Sequence, residues 1–172
     1  TEEGLFLHYK AISESVSVPI IIYNVPSRTG VDILVSVYEK LSHIPNIVGV
    51  KEASNDITKL SRIRSICSPD FSVWTGNDDQ IVPAIAQGCD GVISVLSNIY
   101  PKETSAICKL IKCGNMEAAS ALHRSLMPVI ELLFSEVNPI PVKYAMKCIG
   151  YDCGGCRLPL TMPSAAIQEK IR

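Results

Sequence analysis

The segment Ile47-Val48-Gly49-Val50-Lys51 is a run of apolar residues that ends in a lysine. Strands of parallel sheets in alternating α/β folds are buried on both faces and read as continuous apolar runs. These folds keep their sites at the carboxyl edge of the sheet, where the last residue of this strand would lie. A lysine amine that is removed from water there becomes a nucleophile toward carbonyl groups. The segment therefore predicts a buried parallel strand with a reactive lysine at its end.

Four such runs alternate with segments of helical periodicity, which predicts βα units that build a parallel sheet. The predicted strands are 19–25, 47–51, 71–75 and 91–95. Four helices are predicted: one burying Leu5, Tyr9 and Ile12; one capped by Asp32 and burying Ile33, Val37 and Leu41; one burying Leu60, Ile63 and Cys67; and one from about Asp78 or Asp79 to Gly88.

From Pro101 onward the patterns are helical only, with predicted helices over 101–113, 115–134 with a kink at Pro128, 141–149, and from Ser164 to the end. The sequence thus divides into a βα part, 1–100, and a helical part, 101–172. Four βα units suit either an open doubly wound sheet or part of an eight-stranded barrel of about 250 residues. No glycine-rich nucleotide-binding motif follows any predicted strand, which disfavours the nucleotide-binding open sheets.

Composition narrows the class of protein. The formal net charge is −1 and the basic residues are scattered, so we expect no nucleic-acid partner. No apolar stretch is long enough for a membrane span and no signal-peptide pattern is visible, so we expect a cytoplasmic protein. The seven cysteines are interpreted as reduced core thiols. Cys153 and Cys156 form a lone Cys-x-x-Cys pair without a partner pair, so we expect no metal site there.

Several reactive side chains follow the predicted strands: Tyr23 and Arg28 after the first, Lys51 after the second, the segment 76–79 after the third and Ile93 at the fourth. An amine, a phenol and a guanidinium at one edge suit a keto-acid substrate. The amine condenses with the carbonyl, the phenol moves protons and the guanidinium grips a carboxylate. This chemistry is Schiff-base catalysis without a metal or cofactor.

Each of these residues also has a structural interpretation. Tyr23 could fill the interior of a barrel, Arg28 could be a solvated turn residue, and Lys51 could be a surface lysine paired with Glu52. The segment 76–79 favours a turn and helix cap over acid catalysis. The histidines at 8, 43 and 123 lie in or beside helical patterns and are interpreted as structural.

Five blocks of sequence together resemble the dihydrodipicolinate synthase family. The blocks are Tyr-Asn-Val-Pro-Ser-Arg-Thr-Gly at 23–30, Gly-Val-Lys-Glu-Ala at 49–53, Thr-Gly-Asn-Asp at 75–78, Gly-Val-Ile-Ser-Val at 91–95 and Asn-Pro-Ile-Pro-Val-Lys at 138–143. The resemblance runs along essentially the whole chain. It implies the C-terminal half of a (β/α)8 barrel followed by a helical domain, in a cytoplasmic enzyme that is usually a homotetramer.

The resemblance also implies roles for individual residues. Lys51 would form a Schiff base with pyruvate, Tyr23 would relay protons, and Arg28 would hold the carboxylate of L-aspartate 4-semialdehyde. The backbone of Ile93 and the residue Gly76 would line the pyruvate cavity. The product would be 4-hydroxy-tetrahydrodipicolinate, in lysine and diaminopimelate biosynthesis.

The family's first four strands do not precede Thr1, so we expect this chain alone to be largely inactive. Two other functions remain open. One is a lyase of the same superfamily that acts on a sialic acid or a 2-keto-3-deoxy sugar acid. The other is a non-catalytic fragment whose βα units serve only binding or oligomerisation.

Overall fold

The computed structural model describes residues 1–172, and its contacts divide the chain into two units, Thr1–Ile93 and Ser94–Arg172. The first unit alternates helices and strands as the apolar runs predict. Its elements are α1 (Glu2–Ser15), β1 (Ile20–Asn24), α2 (Pro26–Thr29), α3 (Val35–Leu41), β2 (Ile47–Glu52), α4 (Ile57–Ile66), β3 (Ser72–Thr75), a 3-10 turn (Asp78–Gln80), α5 (Ile81–Ala86) and β4 (Gly91–Val92).

The four strands form one parallel sheet in the order β1-β2-β3-β4, so the predicted α/β architecture is confirmed. The register aligns Tyr23 with Lys51 and Lys51 with Trp74 across the first three strands. One residue further along, Asn24 aligns with Glu52 and Glu52 with Thr75. Because side chains alternate between the faces of a strand, these two rows point to opposite faces of the sheet.

One face of the sheet carries the core of the first unit. Ile22, Val50 and Val73 come from adjacent strands and are almost fully buried. The helices pack their apolar residues against them, among them Val37, Leu41, Leu60 and Ile63, which the helical periodicity placed correctly. Helix α1 adds Leu5 and Tyr9, which are partly buried against the same core. This packing holds the strand ends, and the side chains that follow them, at one edge.

The second unit contains only helices. They are a 3-10 turn (Leu96–Asn98), α6 (Pro101–Lys112), α7 (Met116–Leu133), α8 (Ile140–Cys148) and α9 (Ala165–Ile171). Asn115 caps α7 by accepting a hydrogen bond from the N–H of Ala118 at 3.1 Å, and α7 includes Pro128 within its span. No helix of either unit combines the length and apolar character that a membrane crossing requires.

Two predictions about local structure are wrong. Asp32 does not cap a helix, because α3 begins three residues later, after Leu34, and the Asp32 carboxylate instead binds Lys59 and Asn24. The cysteines are free, as predicted, but most are not core residues: only Cys89 is buried, while Cys113, Cys148 and Cys153 are exposed. Their helical periodicity did not distinguish the inner face of each helix from its outer face.

Candidate active site

Lys51 and Tyr23 lie side by side at the carboxyl ends of β2 and β1. They are direct partners in the parallel register, so their side chains leave the same face of the sheet. The Lys51 Nζ atom stands over the Tyr23 ring, 4.3 Å from its centroid. The amine therefore contacts the face of the Tyr23 ring, and a substrate or a water molecule could carry a proton between the amine and the phenol. The sequence-based expectation that both share one edge agrees with this placement.

The Lys51 side chain is partly buried, and this burial disfavours the charged form of its amine. Burial lowers the pKa of this amine below the usual lysine value. The nearby Asp78 carboxylate opposes that effect and raises the pKa, while the Arg28 guanidinium lowers it. The net direction is downward, which increases the fraction of nucleophilic amine at neutral pH.

Gly76 touches the Lys51 side chain from the end of β3. A Cβ atom at this position would lie 2.9 Å from Lys51 Cε and 2.8 Å from Ala53 Cβ. Both distances are shorter than ordinary contacts between carbon atoms. Gly76 therefore leaves the space through which the lysine stem passes, and any larger residue would displace that stem.

Arg28 and Ile93 occupy less direct positions. Arg28 lies on the short helix α2, which follows β1 directly, and its exposed side chain acts electrostatically on the Lys51 amine. Ile93 follows β4, where its N–H donates a hydrogen bond to the carbonyl of Thr75 at 2.9 Å. That bond aligns Ile93 with the end of β3, next to Gly76. Both residues thus belong to the same edge of the sheet as Lys51.

Two acidic residues matter more than their sequence context indicated. Asp78 begins the 3-10 turn, which agrees with the predicted turn, but it is also only 1% exposed and its charge acts on the Lys51 amine. Glu52 is not a surface partner of Lys51, because it is 2% exposed and faces the opposite side of the sheet, where it pairs with Lys59 at 3.5 Å. Strand alternation is the signal that separates Glu52 from Lys51 in the sequence.

The rest of the protein offers no metal centre, since no group of three or more His, Cys, Asp or Glu side chains is arranged to hold an ion. His123 is buried within α7, while Cys153 is exposed and Cys156 is partly buried. A cavity of about 150 Å³ in the second unit is lined in part by Lys143, Lys147 and Cys156.

A βα sheet with a partly buried lysine and a tyrosine at its carboxyl edge is typical of an enzyme of the α/β class, and such a pair can support Schiff-base chemistry. Comparison with known proteins agrees with an enzyme of the α/β class. The model of the "Dihydrodipicolinate synthetase family" matches residues 1–172, and the chain belongs to this family.

Two similar proteins and one solved structure illustrate the match. The 4-hydroxy-tetrahydrodipicolinate synthase of Caldicellulosiruptor saccharolyticus is 52% identical over 172 residues, which is 100% of this chain and 58% of the relative. The synthase of Acetivibrio thermocellus is 47% identical over 161 residues, covering 94% of this chain and 54% of the relative. The crystal structure of dihydrodipicolinate synthase from Thermotoga maritima matches with a TM-score of 0.95 at 42% identity, covering 99% of this chain and 59% of that one. The chain therefore spans less than two thirds of the length of these relatives.

Proposed function

We propose that this chain carries the Schiff-base lysine of a synthase that condenses pyruvate with L-aspartate 4-semialdehyde to give 4-hydroxy-tetrahydrodipicolinate. The observation that carries the proposal is the Lys51 amine, whose pKa is lowered by burial and which lies 4.3 Å from the centre of the Tyr23 ring. Family membership supports the same reaction, because the relatives named above are synthases of this product. The enzyme would act in the cytoplasm, in lysine and diaminopimelate biosynthesis.

The proposed reaction begins with the neutral Lys51 amine. It attacks the keto carbon of pyruvate, and the adduct loses water to form an imine. Loss of a proton from the pyruvate methyl group then gives an enamine, whose methyl carbon forms the new carbon–carbon bond with the aldehyde of the second substrate. The amino group of that substrate attacks the imine carbon, closes the ring and releases Lys51. The protonated imine withdraws electrons in the deprotonation step, so the reaction needs no metal or organic cofactor.

Tyr23 and Arg28 would assist these steps. The Tyr23 phenol, next to Nζ, would pass protons during imine formation and ring closure. Arg28, exposed on α2, would bind the carboxylate of L-aspartate 4-semialdehyde through two parallel hydrogen bonds. Gly76 and the backbone at Ile93 would border the space that pyruvate occupies.

We further infer that β1 to β4 form half of a (β/α)8 barrel and that residues 101–172 form a helical domain after it. The parallel order of the strands and the likeness to the Thermotoga maritima structure support this arrangement. In the intact enzyme the remaining barrel strands would close the sheet, and the assembly would be a homo-oligomer, a tetramer built from dimers.

Reductive trapping tests the proposal. The chain is incubated with pyruvate and cyanoborohydride, which converts an imine into a stable adduct, and the modified peptide is identified by mass spectrometry. The same assay is run on a fusion that joins this chain to the part of the Caldicellulosiruptor saccharolyticus synthase that it does not match. We expect the adduct on Lys51 and its loss in Lys51→Arg. No adduct in a folded fusion, or an adduct on Lys59 or Lys143 instead, would overturn the mechanism.

A substrate panel on the fusion tests the second substrate. We expect turnover of L-aspartate 4-semialdehyde with pyruvate. Cleavage of a sialic acid or a 2-keto-3-deoxy sugar acid, without turnover of the semialdehyde, would instead assign a sugar-acid lyase and a different ligand to Arg28. A folded fusion that does not bind pyruvate in calorimetry would identify a non-catalytic protein.

A further inference from the structure

A second group of polar side chains lies behind the candidate active site, on the helix-covered face of the sheet. We call it the Glu52 cluster, and it consists of Asn24, Asp32, Tyr38, Glu52 and Lys59. Asn24 and Glu52 end β1 and β2, and they directly follow Tyr23 and Lys51 in the chain. Four of the five members are buried, and Asp32 is the exposed one. Burying charged groups is costly unless they are paired and hydrogen-bonded, so a cluster of this kind calls for an explanation.

Glu52 is the centre of the cluster and is fully engaged. Its Oε1 and Oε2 atoms accept hydrogen bonds from Asn24 Nδ2 at 2.9 and 3.0 Å. Oε2 also accepts from the Tyr38 hydroxyl at 3.0 Å, and Oε1 accepts from the N–H of Ser54 at 2.8 Å. The Lys59 ammonium lies 3.5 Å from Oε2 and is itself only 4% exposed.

The same cluster holds the segment that follows α2. Asn24 Oδ1 accepts a hydrogen bond from the N–H of Ile33 at 3.2 Å, and Asn24 Nδ2 donates to Asp32 Oδ1 at 2.8 Å. Asp32 is also held by a short ion pair with Lys59 from α4. Residues 32 and 33 are therefore held to the end of β1 and to α4. They follow α2, the short helix that carries Arg28, in the chain.

These bonds act at the point where position matters most for the proposed chemistry. Shifting a strand by one residue would move its side chains to the other face of the sheet. The bonds between Asn24 and Glu52 fix β1 against β2 one residue after the pair Tyr23 and Lys51. Tyr38 and Lys59 then fix the end of β2 against α3 and α4. The backbone that carries the Lys51 amine and the Tyr23 phenol is thus fixed by contacts on the opposite face of the sheet.

We propose that the Glu52 cluster is a positioning device that sets the separation of the Lys51 amine and the Tyr23 phenol and the placement of the Arg28 segment. The inference rests on the proposed function, since it assigns the cluster to the same reaction. Glu52 is a positioning residue and not a proton donor to substrate, because it points away from Lys51 and is enclosed by five hydrogen-bond and ion-pair contacts. Glu52 affects Lys51 and Tyr23 indirectly, by fixing β2 against β1.

Two substitutions of different severity test this role in the trapping assay. Glu52→Gln keeps the size of the side chain but removes its charge, so that it can no longer accept all of its bonds. Tyr38→Phe removes one hydrogen bond and leaves the carboxylate in place. Glu39→Gln, on the exposed side of α3, is the matched control. For each variant that is shown to be folded by circular dichroism, the rate of Lys51 modification is measured against pyruvate concentration and against pH.

We expect Glu52→Gln to lower the maximal trapping rate by about 10- to 100-fold, the cost of misplacing reacting groups by a fraction of their contact distance. The half-saturating pyruvate concentration and the pH at half-maximal rate should stay at the values of the protein without substitutions. Glu52 contacts neither the substrate nor the Lys51 amine. Tyr38→Phe should lower the maximal rate less, and Glu39→Gln should not change it.

The outcomes separate the two proposals. Absence of any Lys51 adduct in the chain and in the fusion, both without substitutions, overturns the proposed function and this inference together. Normal trapping in folded Glu52→Gln and Tyr38→Phe overturns the positioning role alone and leaves the cluster with stability as its only effect. A shift of the pH profile in Tyr38→Phe would also contradict it, since Tyr38 bonds to Glu52 and its substitution leaves in place the Asn24 bonds that hold residues 32 and 33. If Glu52→Gln does not fold, Tyr38→Phe decides.

Discussion

Lys51 experiences two charges of opposite sign, and each can be removed by a single substitution. The Arg28 guanidinium lowers the pKa of the Lys51 amine, and the Asp78 carboxylate raises it. The rate of imine formation rises with pH as the amine loses its proton. We therefore expect Arg28→Gln to raise this pKa and move the half-maximal rate to higher pH, and Asp78→Asn to lower the pKa and move it to lower pH.

The pH dependence of cyanoborohydride trapping, run on the fusion, measures both shifts. NMR of lysine labelled with ¹³C at Cε provides the same pKa without substrate. Arg62→Gln is the control for general charge effects, because Arg62 lies on α4 and does not contribute to the Lys51 pKa. Shifts of the same sign in Arg28→Gln and Asp78→Asn would refute this account of the amine's environment.

Gly76 provides a steric test at the same scale. In Gly76→Ala the new methyl group would lie 2.9 Å from Lys51 Cε, so the lysine stem must move. We expect the trapping rate to fall by about 10- to 100-fold with the fold retained, because a flexible side chain can yield but the reacting atom is then misplaced. Gly155→Ala is the matched control, since its Cβ would meet nothing within 4 Å. Equal trapping by both variants would show that the amine does not depend on this space.

At the scale of elements, the sequence predicted what depends on local periodicity. Strands β1, β2 and β3 and helices α1 and α4 lie where the apolar patterns placed them, since core packing requires those patterns, while α3 begins three residues after its predicted cap. The sequence also placed Lys51 and Tyr23 at the same edge of the sheet, because each stands at the end of an apolar run that predicts a strand. Asp32 was misassigned, because its partner Lys59 lies 27 residues away on a different helix. The burial of Asp78 and the Glu52 cluster likewise depends on register between strands.

The Glu52 cluster leads to a prediction about the stability of β1, β2 and α4. Lys59→Met leaves the buried Glu52 carboxylate without its cation, and breaking a buried pair on one side costs about 3–5 kcal/mol. We expect the free energy of unfolding to fall by that amount in urea titrations followed by circular dichroism. Lys40→Met, at an exposed position of α3, should change it by less than about 0.5 kcal/mol. Equal free energies of unfolding for Lys59→Met and Lys40→Met would mean that the Glu52 carboxylate does not need the Lys59 cation.

At the scale of the whole molecule, the chain spans 58% of the Caldicellulosiruptor saccharolyticus synthase, while its sheet has only four strands. An eight-stranded barrel surrounds its reacting groups with side chains and loops from all of its strands. We therefore expect the 172-residue chain to show no synthase activity and the fusion to show it, in an assay of pyruvate consumption that depends on the semialdehyde. Full activity of the chain alone would contradict the barrel-half arrangement.

The outer strand β1 leads to a prediction about association. Ile21 and Tyr23 lie on one face of this strand and are 45% and 44% exposed, an apolar surface beside a strand edge that can pair with another chain. We expect the chain to self-associate in analytical ultracentrifugation as its concentration rises. Ile21→Lys should reduce this association, because a charge on an edge strand opposes strand pairing. Leu158→Lys is the control, since Leu158 is 85% exposed but lies outside the strands. Unchanged association in Ile21→Lys, or an equal reduction in Leu158→Lys, would show that the chain associates through another surface.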